Sequence, residues 1–210
     1  MRTFAFIISI VFQPLLMATY ACVLLFFIIP NSIYDYLTPF DNKIRITFMI
    51  LLFTCIFPII NIFLLFKLKR IESLTLSQQH ERTYPYLTTT LFYFGLFYLL
   101  KDINIWNNIK VFVMGGGIVI FLCAIINLKY KISAHMAGIG GLLGLLIASS
   151  YLIQFDMMPY YIAVILLAGL VGTSRLLLKE HRPSQIYWGF LLGLSTQLIL
   201  FISFHSFILN

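Results

Sequence analysis

Residues 110–128, KVFVMGGGIVIFLCAIINL, decide the fold class, because no charged residue follows Lys110 in this stretch. A helix needs about 20 apolar residues to cross the hydrocarbon core of a bilayer. Soluble domains rarely contain an uninterrupted stretch of this kind. The segment therefore predicts a transmembrane helix.

Further apolar runs flank this segment, and short links with charged or turn-forming residues separate them. Pro14 and Pro58 predict kinks in the first two runs. The pattern predicts an all-α, polytopic integral membrane helix bundle of six to seven transmembrane helices, with residues 1–210 forming a single transmembrane domain. The runs that we assign to spans are 4–29, 46–66, 85–100, 110–128, 134–154, 158–178 and 185–207.

The composition supports lipid as the main solvent. Hydrophobic residues make up 61% of the chain and charged residues 10%, and the mean hydropathy is +0.98. The net charge of +7 could favour nucleic acid in a soluble protein. Here the basic residues lie in the links, where lipid headgroups and topology account for them. We therefore expect membrane lipids, and no nucleic acid, as partners.

Ionisable residues are confined to links and to the edges of the runs. Transporters and pumps usually need such groups inside the bilayer, so this class is disfavoured. Gln197 and His205 come nearest to exceptions, and bonds to neighbouring helices or interfacial water explain them. The three cysteines have no paired spacing, which argues against disulfides and against a thiolate metal site. The sequence predicts no metal and no cofactor.

Glycines are concentrated in three runs, at residues 115–117, 138–144 and 189–193. They could cradle a phosphate, but they lie within spans and not at a strand-to-helix turn. Small residues allow helix backbones to approach closely in lipid. We therefore interpret them as packing residues that place the fifth and seventh helices side by side.

Seven spans would bring the links at 67–84, 129–133 and 175–184 to one side of the membrane. Histidines and cations at one level suggest an anion site, because a phosphate monoester needs positive charge and directed N–H donors. The alternative is that these residues are interfacial anchors and helix caps. The polar residues gathered in these links and next to them are Arg82, Lys131, Ser133, His135, Ser174, Arg175, His181 and Gln185.

Helix geometry favours an anion site at two of these positions. Ser133 and His135 stand where the fifth helix should begin, and the free N–H groups of a helix N-terminus attract anions. His181 and Gln185 are spaced i and i+4, so they share one helix face if the turn is helical. Gln185 could then hold the His181 imidazole.

The spacing of the last links resembles a known family. Ser174-Arg175, five residues, His181, three residues and Gln185, followed by Gly189 and Gly193, looks like the third motif of the type 2 phosphatidic acid phosphatase and haloperoxidase superfamily. Lys131-Ile132-Ser133-Ala134-His135 resembles the second motif of that family. The likeness covers about residues 129–194.

The resemblance implies roles for the matching positions. His181 would be the nucleophile that forms a phosphohistidine, and His135 the acid that protonates the leaving oxygen. Arg175 and Ser133 would bind the phosphate, and Arg82 would be the remnant of the first motif. The implied ligand is an anionic phospholipid or an isoprenoid carrier phosphate, and the implied location is the cytoplasmic (inner) membrane of a bacterium.

The sequence departs from the family at positions that the chemistry uses. Gln185 replaces the aspartate that orients and stabilises the nucleophilic histidine, and in serine proteases the loss of the corresponding carboxylate costs about 10⁴-fold in rate. Thr75 stands where the first motif has a lysine, although Lys131 could substitute. Ala134 replaces a glycine of the second motif. The sequence therefore predicts either a lipid phosphatase with impaired activity or a non-catalytic lipid-phosphate-binding protein or subunit of a membrane complex.

The charge distribution also predicts which side of the membrane the site faces. Ten of the fourteen basic residues lie on the side of the three polar links, and the positive-inside rule places that side in the cytoplasm. Bacterial members of the family usually open their site to the opposite side. A phosphate-binding face also collects basic residues for its own purpose, so the sequence leaves both orientations open.

Overall fold

The structure is a computed structural model that describes residues 1–30, 32–103, 105–150, 153 and 155–204. His205 lies outside the described residues. These ranges are helical apart from links and one isolated antiparallel bridge between Ser32 and Ile153. The α-helices are α1 (Arg2–Val11), α2 (Met17–Val23), α3 (Ile33–Leu37), α4 (Phe40–Leu51), α5 (Phe57–Lys67), α6 (Thr83–Leu100), α7 (Asn107–Asn127), α8 (Ala134–Ser149), α9 (Met158–Leu177) and α10 (Pro183–Ser203).

Five helical segments in the described ranges are long and apolar enough to cross a membrane. Helices also form at the other two predicted places, but α8 has only 16 residues, and threonines and tyrosines dilute the apolar character of α6. The all-α prediction is confirmed, whereas the count of seven spans stays a prediction. The five segments are Arg2–Ile28, Phe40–Lys67, Asn107–Asn127, Met158–Leu177 and Pro183–Ser203.

Both predicted proline positions coincide with irregular helix. A break at Phe12 and Gln13 separates α1 from the 3₁₀ turn that Pro14 begins. The π-helical turn Leu52–Ile56 directly precedes α5, which has Pro58 in its first turn. A proline lacks an N–H and crowds the carbonyl of residue i−4, so the backbone before it must widen or break.

The glycines bring α8 and α10 together, as the sequence predicts. A Cβ atom at Gly193 would collide with the carbonyl oxygen of Ala137, and one at Gly140 would collide with that of Phe190. Most of α8 is buried, which suits a helix that is apolar all round. It is therefore a central helix of the bundle, packed against α10 and α9.

Two groups of links hold the ends of the bundle. In one group, Asn127 Nδ2 donates to the Gln79 carbonyl (2.7 Å) and Tyr130 Oη donates to Ser184 Oγ (2.9 Å). In the other, Trp106 Nε1 donates to Thr38 Oγ1 (3.3 Å). The first group contains the three polar links, so the predicted clustering of these links is present.

The outer faces of the long helices are apolar. Leu166 on α9 and Ile202 on α10 are 69% and 76% exposed, and many other large apolar side chains also point outward. Exposing such surface to water costs roughly 25 cal/mol per Å². The outer surface of the bundle is therefore suited to contact with lipid.

Candidate functional site

A cavity of about 470 Å³ opens among α1, α6, α7 and α8 and the link between α9 and α10. Its wall is mostly apolar and includes Met17, Tyr93 and Phe112. Charged and imidazole groups also line it, namely Arg82, His135, Arg175, Glu180 and His181. Its volume lies within the roughly 300–1,000 Å³ range of small-molecule sites, and its wall combines an apolar body with charged groups.

Three cations converge on one carboxylate oxygen at what we call the cationic end of the cavity. Glu180 Oε2 lies 3.8 Å from Arg82 Nη2, 3.7 Å from Lys131 Nζ and 3.7 Å from Arg175 Nη2. These distances suit ion pairs but exceed those of good hydrogen bonds, which are about 2.7–3.2 Å for N–H···O. Because three cations face one carboxylate, the cluster keeps two net positive charges.

Different elements supply these cations. Arg82 ends a 3₁₀ turn before α6, and its Nε donates to the Leu76 carbonyl (2.7 Å). Lys131 lies between α7 and α8 and donates to the Ser77 carbonyl (2.8 Å). Arg175 lies in the last turn of α9. Burial and the nearby Arg82 lower the pKa of Lys131, whereas Glu180 opposes this effect.

His181 stands next to the cationic end, in the link before α10, and is only 7% exposed. Its Nδ1 lies 3.1 Å from Gln185 Oε1, which also accepts the Arg182 N–H (3.0 Å). The amide oxygen of Gln185 can accept both hydrogen bonds if the proton of the His181 imidazole is on Nδ1. Burial, and then the charges of Arg82 and Arg175, lower the pKa of His181 to about 3. The imidazole is therefore neutral at pH 7, with an Nε2 lone pair.

His135 lies in the first turn of α8 and lines the same cavity. Its Nε2 lies 3.0 Å from the Ser9 carbonyl oxygen, and because a carbonyl can only accept, Nε2–H is the donor. A neutral His135 in this arrangement has an unprotonated Nδ1. It therefore carries no second proton for a leaving oxygen unless it becomes charged or leaves Ser9.

Ser133 stands at the start of α8, as predicted, but it does not face the cavity. It is fully buried and is not among the residues that line the cavity, and its Oγ has no hydrogen-bond partner among the described residues. Its backbone N–H donates to the Gln185 carbonyl (3.3 Å), so this donor of the α8 N-terminus is already used. The serine joins the starts of α8 and α10 and does not touch the cavity.

The structure thus brings together most of the predicted site residues. Arg82, Arg175, His135 and His181 line one cavity, and Lys131 joins them through Glu180. Gln185 holds His181 from outside the cavity wall. These positions leave the chemical role of each residue as a prediction.

Sequence reasoning missed two contributors to the site. Glu180 is the only acidic residue in the link between α9 and α10, and this isolation was the available signal. The first helix contributes Phe6, Ser9 and Ile10 to the cavity wall. The apolar sequence of this helix gives no sign that it lines the cavity, because its hydrogen bond to His135 is made by the backbone carbonyl of Ser9.

Among the described residues, no group of three or more His, Cys, Asp or Glu side chains could hold a metal ion. Comparisons with known protein families, with curated proteins and with solved structures found no match for this chain.

Proposed function

We propose that this chain is an integral membrane protein that binds the phosphate headgroup of an anionic lipid at the cationic end and hydrolyses it slowly through His181. The observation that carries the proposal is the convergence of Arg82, Lys131 and Arg175 beside a neutral histidine in a mostly apolar cavity. Cations supply the field that a phosphate needs, and the apolar wall suits a hydrocarbon chain.

The state of His181 supports a nucleophilic role. With Nδ1–H bonded to Gln185, the Nε2 lone pair attacks phosphorus, and the ester P–O bond breaks. Its electron pair leaves with the lipid oxygen, which takes a proton from water or from a charged His135. Water then attacks the phosphohistidine, releasing phosphate and restoring His181. Gln185 stabilises the charged imidazole less than a carboxylate would, which makes both steps slow.

A second candidate is a lipid-phosphate-binding protein or complex subunit without catalysis. It is favoured by the hydrogen bond between His135 and Ser9, which occupies the nitrogen that would carry a proton to the leaving oxygen. The neutral Gln185 supports it too. In this case the lipid would bind at the cationic end and stay intact.

Phosphate release from phosphatidic acid, lysophosphatidic acid and an isoprenoid diphosphate tests the proposal. We expect slow release by the wild type, none by His181→Ala, and release at least about tenfold faster by Gln185→Asp, because a carboxylate fixes the tautomer and stabilises the imidazolium. Gln185→Glu covers the difference in reach. His80→Ala is the matched control, because His80 is an exposed histidine at the same end of the bundle and outside the cavity.

The outcomes separate the two functions. If the wild type, both acidic variants and His181→Ala release phosphate equally poorly but the wild type binds phosphatidic acid in nanodiscs, the non-catalytic function holds. If the wild type also fails to bind, both are wrong.

A further inference from the structure

The carboxylate of Glu180 lies where the three cations converge, so the protein itself supplies an anion at this place. Its Oε2 is 3.7–3.8 Å from Arg82, Lys131 and Arg175. Its Oε1 accepts a hydrogen bond from Ser77 Oγ at 3.2 Å. The side chain is 24% exposed. The carboxylate is therefore attracted by charge but held by few directed bonds.

Two of the three cations are also held by contacts other than Glu180. Arg82 and Lys131 each donate to a backbone carbonyl of the link before α6, so both stay in place if Glu180 moves. Arg175 is 9% exposed, lines the cavity, and its buried Nε has no hydrogen-bond partner among the described residues. A buried guanidinium N–H without a partner is unfavourable, because it has lost its bonds to water and nothing replaces them. The cationic end therefore has donor capacity that Glu180 does not use.

We infer that Glu180 occupies the position of the ligand's phosphate in the empty site and is displaced when the ligand binds. The inference rests on the proposed phosphate binding and assigns Glu180 a specificity role within it. A carboxylate ligand has the same charge and the same two acceptor oxygens as Glu180, so it would gain nothing by replacing Glu180 beside the cations. A phosphate monoester carries more charge and three terminal oxygens, so it outcompetes the internal carboxylate. Glu180 thus selects phosphate-bearing amphiphiles over fatty acids.

Removing the charge of Glu180 tests this competition. Glu180→Gln keeps the shape of the side chain but leaves three cations unopposed. We expect at least about tenfold tighter phosphate binding, because the competing charge 3.7–3.8 Å from the cations is removed. The variant should also gain binding of oleate. Glu72→Gln is the matched control, because Glu72 is exposed on the same group of links and makes no ion pair with these cations. It should bind like the wild type.

The full-length protein is measured with inorganic phosphate in detergent and with phosphatidylcholine nanodiscs that contain phosphatidic acid. Gain in both arms identifies the phosphate group itself as the ligand, whereas gain only in nanodiscs identifies a lipid headgroup. Each of these results supports the exchange of Glu180 for phosphate.

Three unopposed cations could impair folding of Glu180→Gln, so Glu180→Asp is included. Its shorter carboxylate withdraws from the cations, and we expect phosphate affinity between those of the wild type and Glu180→Gln. Wild-type binding that neither variant strengthens overturns the inference and leaves the proposed function intact. Absence of binding by all three proteins, each shown to be folded, removes the proposed function and the inference with it.

Discussion

His181 lies beside cations, and its imidazole is unprotonated at neutral pH. Burial and the charges of Arg82 and Arg175 disfavour its protonated form and lower its pKa to about 3. Gln185 Oε1 accepts a hydrogen bond from the Nδ1–H of His181. The residue is therefore set as a base or nucleophile at neutral pH and not as a cation that binds phosphate.

The lowered pKa of His181 predicts acid sensitivity of the fold. In the unfolded chain this histidine binds a proton below its ordinary pKa of about 6.5, whereas the folded protein stays unprotonated down to about 3. Between these values the unfolded state binds more protons, so the contribution of His181 to stability is complete above about pH 6.5 and falls as the pH falls. From about pH 7 to pH 5 the free energy of unfolding should drop by about 2 kcal/mol because of this residue.

Unfolding by sodium dodecyl sulfate in mixed micelles, measured at both pH values, checks this expectation. His181→Asn is the comparison, because it removes the titration and retains a polar side chain. The wild type should lose about 2 kcal/mol more than the variant between the two pH values. Equal losses would mean that His181 is accessible to protons in the folded protein.

Local and distant contacts explain which of these residues could be found from the sequence. His181 and Gln185 are four residues apart, and this spacing predicted their pairing. However, His181 precedes α10, and the cap that Gln185 forms with the Arg182 N–H, not a helical turn, brings the two side chains together. The position of Glu180 could not be predicted, because it depends on Arg82 and Lys131 from two other links. Similarly, the hydrogen bond of His135 joins α8 to a backbone carbonyl of α1, and backbone groups leave no trace in the sequence.

At the scale of the helices, the backbones of α8 and α10 are in direct contact, and both helices begin next to residues of the site. The start of α8 holds His135, and the link into α10 holds His181, so the distance between the two helices sets the geometry of the site. Gly193 lies against the Ala137 carbonyl and Gly189 against that of Ser133. The glycine pattern predicted this pairing because close approach in lipid requires small residues.

Gly193→Ala should force α8 and α10 apart. The added methyl group meets the backbone of α8, which cannot rotate away as a side chain can. Overpacking of this kind costs about 1–3 kcal/mol or more, and we expect a lower unfolding temperature together with weaker phosphate binding. Gly169→Ala on α9 is the matched control, because a Cβ atom at this position would meet no atom of the described residues within 4 Å. It should be neutral or slightly stabilising, since alanine favours helix.

Thermal unfolding followed by circular dichroism in detergent, with phosphate titration of the same samples, measures both effects. If Gly193→Ala matches Gly169→Ala in stability and binding, the close contact of the two helices does not support the site.

At the scale of the whole molecule, the fold is a helix bundle in which successive long helices run in alternating directions between two groups of links. Apolar runs predicted the long helices, because their length and composition are local properties. The short helix α3 lies between the first two runs and was not predicted. The number of helices that cross the membrane is harder to predict from the sequence. The central α8 is shorter than a usual span but is mostly buried by its neighbours, and α6 carries threonines whose hydroxyls bond to carbonyls of their own helix. Packing and internal hydrogen bonds can make both helices compatible with a membrane.

Sided labelling of single cysteines decides whether α6 and α8 cross the bilayer and which way the site faces. Leu74 and Asp102 flank α6, Leu128 and Phe155 flank α8, and all four are exposed. The native cysteines are buried, so they should react little with a membrane-impermeant maleimide. Seven spans place Leu74→Cys and Leu128→Cys on one side and Asp102→Cys and Phe155→Cys on the other.

The positive-inside rule predicts which of these two sides is cytoplasmic. Most of the basic residues lie on the side of Leu74 and Leu128, so that side should face the cytoplasm. We therefore expect intact cells to label Asp102→Cys and Phe155→Cys, and the other two variants to label only after permeabilisation. The reverse pattern would retain seven spans but turn the cationic end outward, as in the family that the motifs resemble. Labelling of both members of a pair from one side would show that the helix between them does not cross. For either helix, that result would contradict the seven-span arrangement, because the two flanking residues would then lie on the same side of the membrane.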